Sequence, residues 1–96
     1  MGLSIRVENQ IHQEVRRLHD DVDGSFIRAC EAGPVGSTRR GIIRYLDTML
    51  NPFQLGVLID ELQALPADIA TDTVTDVVAA AREAIKLRGY LYFIGD

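Results

Sequence analysis

Apolar and polar residues alternate at the start of the chain, where polar side chains separate Leu3, Ile5 and Val7. A period of two places one face of a strand on a core and the other in water, so a strand is predicted over residues 2–8. The closing YLYFI is apolar at five consecutive positions, a pattern typical of a strand covered on both faces. Residues 90–94 are therefore predicted to form a central strand of a sheet.

Apolar residues follow a helical period in the second half of the chain. Asn51 and Pro52 are typical of a helix start, because Asn caps free backbone N–H groups and Pro suits the first helical position. Leucine and isoleucine residues then recur at i, i+3, i+4 and i+7, which predicts a helix over residues 52–65. A second such pattern stops at Gly89 and predicts a helix over residues 72–88.

The first half of the chain allows two interpretations at one point. Apolar side chains around residues 12–18 recur at helical spacing, whereas Asn9-Gln10 before them suits a hairpin turn followed by a strand. A short helix over 23–32 precedes a Gly-Pro stop. After a loop rich in Gly, Ser and Arg, the run GIIRYLDT predicts a further strand over residues 40–46.

Length and composition indicate a single globular domain over residues 1–96. The 96 residues are 47% hydrophobic and 25% charged, which leaves room for one core. Apolar runs stay short of the roughly 18–20 residues that cross a bilayer, and the start lacks a signal pattern, so a cytoplasmic protein without membrane contact is expected. The lone Cys30 cannot form an internal disulfide and is expected to be buried.

Charge is distributed unevenly between the two halves of the chain. Residues 1–44 hold seven arginines and six acids, a balance of +1, whereas residues 45–96 hold three bases and eight acids, a balance of −5. The overall charge of −4 argues against nucleic acid as a partner, because nucleic-acid binders concentrate basic residues on one face. A charged partner is expected to be a basic protein that meets the second half.

The residue types needed for catalysis or metal binding are scarce. One Cys and two His, at positions 12 and 19, cannot complete a zinc site without carboxylates. The chain has neither a G-x-S-x-G motif nor a phosphate-loop spacing. No catalytic residue, metal or cofactor is therefore predicted, and the protein is expected not to be an enzyme. An enzyme with Asp47 as base or ligand is an alternative that burial of Asp47 in a cleft would favour and a helix-capping role of its side chain would disfavour.

The densest polar grouping in the chain lies in the segment RYLDTMLNPFQ. It consists of Tyr45, Asp47, Thr48, Asn51 and Gln54. Carboxylate, hydroxyl and amide groups that meet at a helix N-terminus can form a binding surface. The same residue types also satisfy turn and helix-start backbone groups locally. Both interpretations stay open at this point.

Three stretches, YLDTMLNPFQ, LIDEL and the terminal YLYFIGD, resemble a family of short bacterial proteins that is frequent in actinomycetes. The family pattern reads roughly Tyr-Gly-Asp-Thr-x-Phe-Asn-x-x-Gln, then an acidic helix and a closing strand of the Phe-Ile-Gly-Asp kind. The matching positions are Tyr45, Asp47, Thr48, Asn51, Gln54, Glu61, Phe93, Gly95 and Asp96. Leu46 stands where Gly is usual, and Leu50 where Phe is usual. Gly would permit a positive φ that Leu resists, so a differently shaped turn is expected.

The resemblance brings no established activity, but it implies a β-hairpin at the start and therefore a second strand over residues 12–18. The expected fold is α+β, with about four mostly antiparallel strands and the helices packed on one face.

The expected function is that of a small acidic binding protein, an inhibitor of the immunity or antitoxin type that acts on a basic protein partner. Its predicted partner-binding residues are Tyr45, Asp47, Thr48, Asn51, Gln54, Glu61 and Asp96. The alternative is a homo-oligomeric structural or regulatory module, such as a homodimer.

Overall fold

A computed structural model describes residues 2–95 of the chain as one antiparallel sheet with helices on one face. The elements in chain order are β1 (Ser4–Glu8), β2 (Glu14–His19), α1 (Ser25–Glu31), β3 (Thr48–Leu50), α2 (Pro52–Gln63), α3 (Asp72–Lys86) and β4 (Tyr90–Ile94). The strands lie in the order β2-β1-β4-β3. The predicted α+β class is confirmed, and each helix boundary lies within two residues of its predicted position.

The hairpin of β1 and β2 confirms the strand interpretation of residues 12–18, and the helical interpretation is wrong. Asn9 closes the turn, because its side-chain oxygen accepts the backbone N–H groups of Ile11 and Gln13 at 3.0 Å each. The helical period had assigned Ile11 and Val22 to a buried face. Both are exposed, Ile11 at 71% and Val22 fully.

The hydrophobic core lies between the sheet and the helices. Ile5 and Val7 of β1 and Leu91 and Phe93 of β4 are fully buried on this face. The helices supply buried apolar side chains to the same cluster, among them Phe26, Cys30, Leu55, Leu58, Leu62, Val74 and Val77. Cys30 is buried as predicted, and burial raises the pKa of its thiol.

The closing strand β4 is central, as predicted, because it pairs with β1 on one side and β3 on the other. The prediction that it is covered on both faces is wrong. Tyr90 and Tyr92 alternate with the buried residues and are only half-buried. The second face of the sheet therefore stays open and carries aromatic and charged side chains.

The strand predicted over residues 40–46 lies instead at Thr48–Leu50. Arg39–Gly41 form a short 3-10 turn, after which Ile42 is extended and donates its N–H to Arg39 O at 3.1 Å. A further turn bond joins Leu46 N to Ile43 O at 3.2 Å. The β-branched Ile42 and Ile43 had suggested a strand, but strand preference depends on pairing and packing, and these residues have no strand partner.

A polar network joins α1 to α3. The Asp21 carboxylate accepts hydrogen bonds from the backbone N–H and the hydroxyl of Ser25 and, at 2.9 Å, from the hydroxyl of Thr73. The Ser25 hydroxyl also contacts the hydroxyl of Thr71, the residue that caps α3, at 2.8 Å. These hydrogen bonds hold the pKa of Asp21 below its usual value, and the bond from the Ser25 hydroxyl contributes most.

Candidate functional site

The short strand β3 places the predicted polar cluster at one edge of the sheet. Its residues pair with β4 in the register Thr48 to Phe93, Met49 to Tyr92 and Leu50 to Leu91. Leu50 points into the core and is 5% exposed, whereas Met49 points to the open face and is 47% exposed. Helix α2 begins two residues after Leu50, so strand edge and helix start form a single junction.

Asp47 links the chain that leads into β3 to the end of β4. Its carboxylate accepts a hydrogen bond from Gly95 N at 3.1 Å and one from the Tyr92 hydroxyl at 3.4 Å. Asp47 is exposed, so the burial that would favour the enzyme alternative is not seen at this residue. Its hydrogen bonds instead anchor the end of β4 against the chain that leads into β3.

Asn51 and Gln54 form a reciprocal cap on α2. The Asn51 side chain accepts from Gln54 N, and the Gln54 side chain accepts from Asn51 N, each at 2.9 Å. This capping box satisfies two backbone donors at the helix start. Asn51 and Gln54 therefore cap the helix, as the structural interpretation of the sequence predicted. Their contact with a partner stays a prediction.

The remaining predicted residues lie around the junction in different ways. Thr48 donates its hydroxyl to Gly41 O at 3.4 Å. Glu61 faces the preceding loop, where its carboxylate accepts from Thr38 N and Arg39 N at 2.9 Å each. Asp96 lies outside the described residues. The structure thus brings Tyr45, Asp47, Thr48, Asn51 and Gln54 to one junction, and it directs the Glu61 carboxylate to the loop.

Exposed apolar side chains surround this junction. They belong to Tyr45 (71% exposed), Leu46 (61%), Met49 (47%), Phe53 (82%) and Val57 (38%), and they are called the junction surface below. Large apolar side chains are usually exposed singly, whereas five of them fall within thirteen residues of the chain here. Sequence reasoning singled out only Tyr45 of the five.

The outer face of α2 carried a signal for two of them. Phe53 and Val57 are four residues apart and therefore share a helix face. This face lies opposite the buried Leu55, Leu58 and Ile59. A surface helix normally has a polar outer face, and here exposed Asp60 shares that face with the two apolar residues.

The two edges of the sheet differ in how they are protected. Strand β2 carries charged residues at three of its six positions, and its pairing with β1 is interrupted by a register shift between Val7 and Glu8. Charges and bulges hinder the addition of another strand. Strand β3 has the sequence TML and carries no charge. The β3 edge is therefore the less protected of the two.

Carboxylates of the second half lack cationic partners. Among the seven at positions 45–95, only Glu83 forms an ion pair within the described residues, with Arg16 at 2.8 Å. The first half is different, because Glu14 and Glu31 each contact an arginine at 2.7 Å. Uncompensated exposed acids are Asp60, Asp68, Asp72 and Asp76. The second half therefore has an excess of acids, and most of these acids also lack an ion-pair partner within the described residues.

Leu46 does not adopt a positive φ, because only His12 and Arg88 among the described residues combine a side chain with a positive φ. The expectation that the turn at Leu46 differs in shape from that of the resembled family stays a prediction. A close backbone approach occurs at Gly95, where an added Cβ would lie 2.4 Å from Leu46 N.

The fold and the junction define a small α+β protein with an exposed apolar surface at a sheet edge. No protein-family model matches the chain, and neither a curated protein nor a solved structure matches it. The resemblance to the actinomycete-type family stays a prediction. Within residues 2–95, no helix has the length and apolar character to cross a membrane, and no group of three His, Cys, Asp or Glu side chains could hold a metal.

Proposed function

We propose that the chain is a small acidic binding protein, an inhibitor of the immunity or antitoxin type, whose basic protein partner docks on the junction surface. The observation that carries the proposal is the group of five exposed apolar side chains at positions 45–57. The proposed encounter takes place in the bacterial cytoplasm, the compartment expected from the sequence.

The composition of the junction surface supports a protein partner. Interface centres are enriched in aromatic residues and Met, and a few aromatic side chains usually supply most of the binding free energy. Tyr45 and Phe53 are the aromatic members, and both are more than two-thirds exposed. The unprotected edge of β3 adds backbone groups to which a partner strand can pair.

The unpaired carboxylates support a basic partner. Asp60 lies on α2 among the exposed positions, and Asp72 and Asp76 lie on the exposed face of α3. A surface with excess negative charge attracts a basic protein during diffusion and disfavours acidic competitors. Apolar contact at the junction would then supply affinity, and the acids would supply speed and selectivity.

Capture from a lysate of the source bacterium, followed by mass spectrometry, tests the proposal. Phe53→Ser and Leu46→Ser remove exposed apolar side chains from the junction surface. If Phe53 is an interface anchor, its truncation costs about 2 kcal/mol or more, and the captured partner binds about thirtyfold more weakly.

Val35→Ser and Val22→Ser are the matched controls, because both valines are exposed and lie outside the junction surface, at 88% for Val35 and fully for Val22. They are expected to capture the partner like the unmodified protein. Equal capture by junction and control variants, with the fold intact by circular dichroism, would overturn the proposal.

A further inference from the structure

A cavity of about 360 Å³ lies on the open face of the sheet beside the junction surface. It is lined by Glu8, His12, Asp47, Met49 and Tyr92. Met49 is also one of the five junction-surface residues, so the cavity borders that surface at Met49. Ligand pockets commonly span roughly 300–1,000 Å³. This cavity lies at the small end of that range, which suits a single side chain.

Glu8 brings a buried carboxylate to the cavity. It is 4% exposed, and among the described residues only His12 comes within ion-pair distance, with Nδ1 3.1 Å from Oε1. Histidine supplies a positive charge only when it is protonated. A buried carboxylate without a permanent cation is costly, because desolvation removes its hydration without replacement. A cationic group that enters the cavity would compensate this cost.

The hairpin turn fixes the histidine wall of the cavity in advance. His12 has φ 63°, in the left-handed region that few residues with a side chain adopt. Its N–H bonds to Asn9 O at 3.0 Å, and its ring stacks on Tyr90 at 4.4 Å between centroids. The turn and the ring stack therefore position the wall, so little ordering remains to be done when a ligand binds.

The other lining groups suit the two parts of a basic side chain. No Lys or Arg is among the residues that line the cavity. The neighbouring Arg6 lies at its border, with its guanidinium carbon 5.7 Å from the centroid of the Tyr92 ring and its Nε 3.4 Å from Oε1 of Glu14. Asp47 provides a second carboxylate. The Met49 thioether and the Tyr92 ring provide apolar contact for an aliphatic stem, while carboxylates suit its charged head.

We infer that this cavity receives a lysine or arginine side chain of the partner. The inference rests on the proposed function, since the junction surface would carry the partner's backbone past the cavity. It assigns to Glu8 and Asp47 the recognition of the charged head, and to Met49 and Tyr92 contact with the stem.

Titration with single amino-acid amides tests the inference on the intact protein. The probes are Nα-acetyl-arginine amide, Nα-acetyl-lysine amide and the neutral isostere Nα-acetyl-citrulline amide. The readout is the ¹³C-methyl NMR signal of Met49, assigned with Met49→Leu. We expect at least one basic amide to shift this signal saturably and the citrulline amide not to. Asp47→Asn is expected to weaken the response about tenfold, the loss typical of one charged hydrogen bond.

Asp23→Asn is the matched control, because it makes the same charge change at an exposed site outside the cavity and the junction surface. It should leave the affinity within about twofold, as expected for a distant surface charge. Equal responses to arginine and citrulline amides, or equal losses in Asp47→Asn and Asp23→Asn, would overturn the inference. Glu8→Gln is a second test from inside the cavity if thermal unfolding shows that this variant is folded. If it is not folded, Asp47→Asn alone decides.

Failure of this inference can be told apart from failure of the proposed function. If Phe53→Ser abolishes partner capture while no basic amide binds, the docking surface stands and the cavity assignment is wrong. If a basic amide binds while capture ignores Phe53→Ser, the cavity assignment stands and the docking surface is wrong.

Discussion

Gly95 limits the shape of the junction more directly than any apolar side chain around it. A Cβ at this position would lie 2.4 Å from Leu46 N and 2.5 Å from Tyr45 C. These are backbone atoms, which cannot rotate away as a flexible side chain can. Gly95 N also donates to Asp47. The absence of a side chain at Gly95 thus lets the end of β4 hold the loop that presents Tyr45 and Leu46.

Gly95→Ala is expected to push this loop away from β4 and to destabilise the protein by about 1–3 kcal/mol, the usual cost of overpacking. Urea denaturation gives the free energy of unfolding, and amide NMR shifts at Tyr45–Asp47 report the displacement. Gly41→Ala is the control, since a Cβ there meets nothing within 4 Å. An equally small effect of both variants would contradict the close approach.

Asp21 makes stability depend on pH. Its carboxylate has a folded-state pKa below the usual value because the hydroxyl and N–H of Ser25 and the hydroxyl of Thr73 donate to it. A depressed pKa contributes stability that is present above the unfolded value of about 4. That stability is lost as pH falls through the folded pKa. We expect urea midpoints to fall between about pH 5 and pH 3, and to fall less in Asp21→Asn.

Asp23→Asn separates the Asp21 effect from general loss of negative charge. Asp23 is an exposed neighbour outside the hydrogen-bond network of Asp21, Ser25 and Thr73. Its variant should keep the same decline in midpoint as the unmodified protein. If Asp21→Asn and Asp23→Asn both keep the full decline, the network between α1 and α3 does not carry it.

At the scale of elements, the start of α2 has both a structural and a proposed binding role, and one residue can separate them. Asn51→Ala removes the side-chain cap and is expected to cost about 1 kcal/mol in the free energy of unfolding, whereas Asn51→Ser keeps a capping oxygen. Urea denaturation measures both. If partner capture falls in Asn51→Ala and recovers in Asn51→Ser, Asn51 acts through capping alone. If both variants lose capture while Asn51→Ser keeps its stability, Asn51 contacts the partner.

Elements whose signals are local could be predicted from the sequence. Helix α2 begins at a capping box and follows a helical period, and β4 is an uninterrupted apolar run. Strand β3 has only three residues, and pairing with a strand more than forty residues later in the chain defines it. Propensity therefore placed the strand at Ile42 and Ile43, which lie between two turns and pair with no strand.

The candidate site shows the same division. The caps at Asn51 and Gln54 are local and could be predicted. The hydrogen bonds of Asp47 to Tyr92 and Gly95 span 45 and 48 residues, so no local pattern indicates them. Helical spacing places Phe53 and Val57 on the outer side of α2. The leucines of the same helix form a regular core face, so these two apolar residues did not stand out.

Across the whole molecule, the separation of charge predicts how salt affects association. Four of the seven arginines of the first half form ion pairs within the described residues, whereas the exposed acids Asp60, Asp68, Asp72 and Asp76 of the second half form none there. A basic partner is then drawn to the second half over a distance comparable to the screening length, about 10 Å at 0.1 M salt. A second copy of the chain, with its net charge of −4, is repelled over the same distance.

The sign of the salt effect therefore decides between the proposed partner and the homo-oligomeric alternative. For a basic partner, we expect the association rate in biolayer interferometry to fall about tenfold or more between about 50 and about 500 mM NaCl, with a smaller change in dissociation. Asp72→Asn combined with Asp76→Asn should lower the rate at low salt and flatten this dependence.

Light scattering on the protein alone tests the homo-oligomeric alternative by its mass at the two salt concentrations. A mass that stays at 10.6 kDa at both salt concentrations fits a monomeric binding protein, whereas a dimer that strengthens with added salt would mean that like charges are being screened and that the junction surface is covered by a second copy.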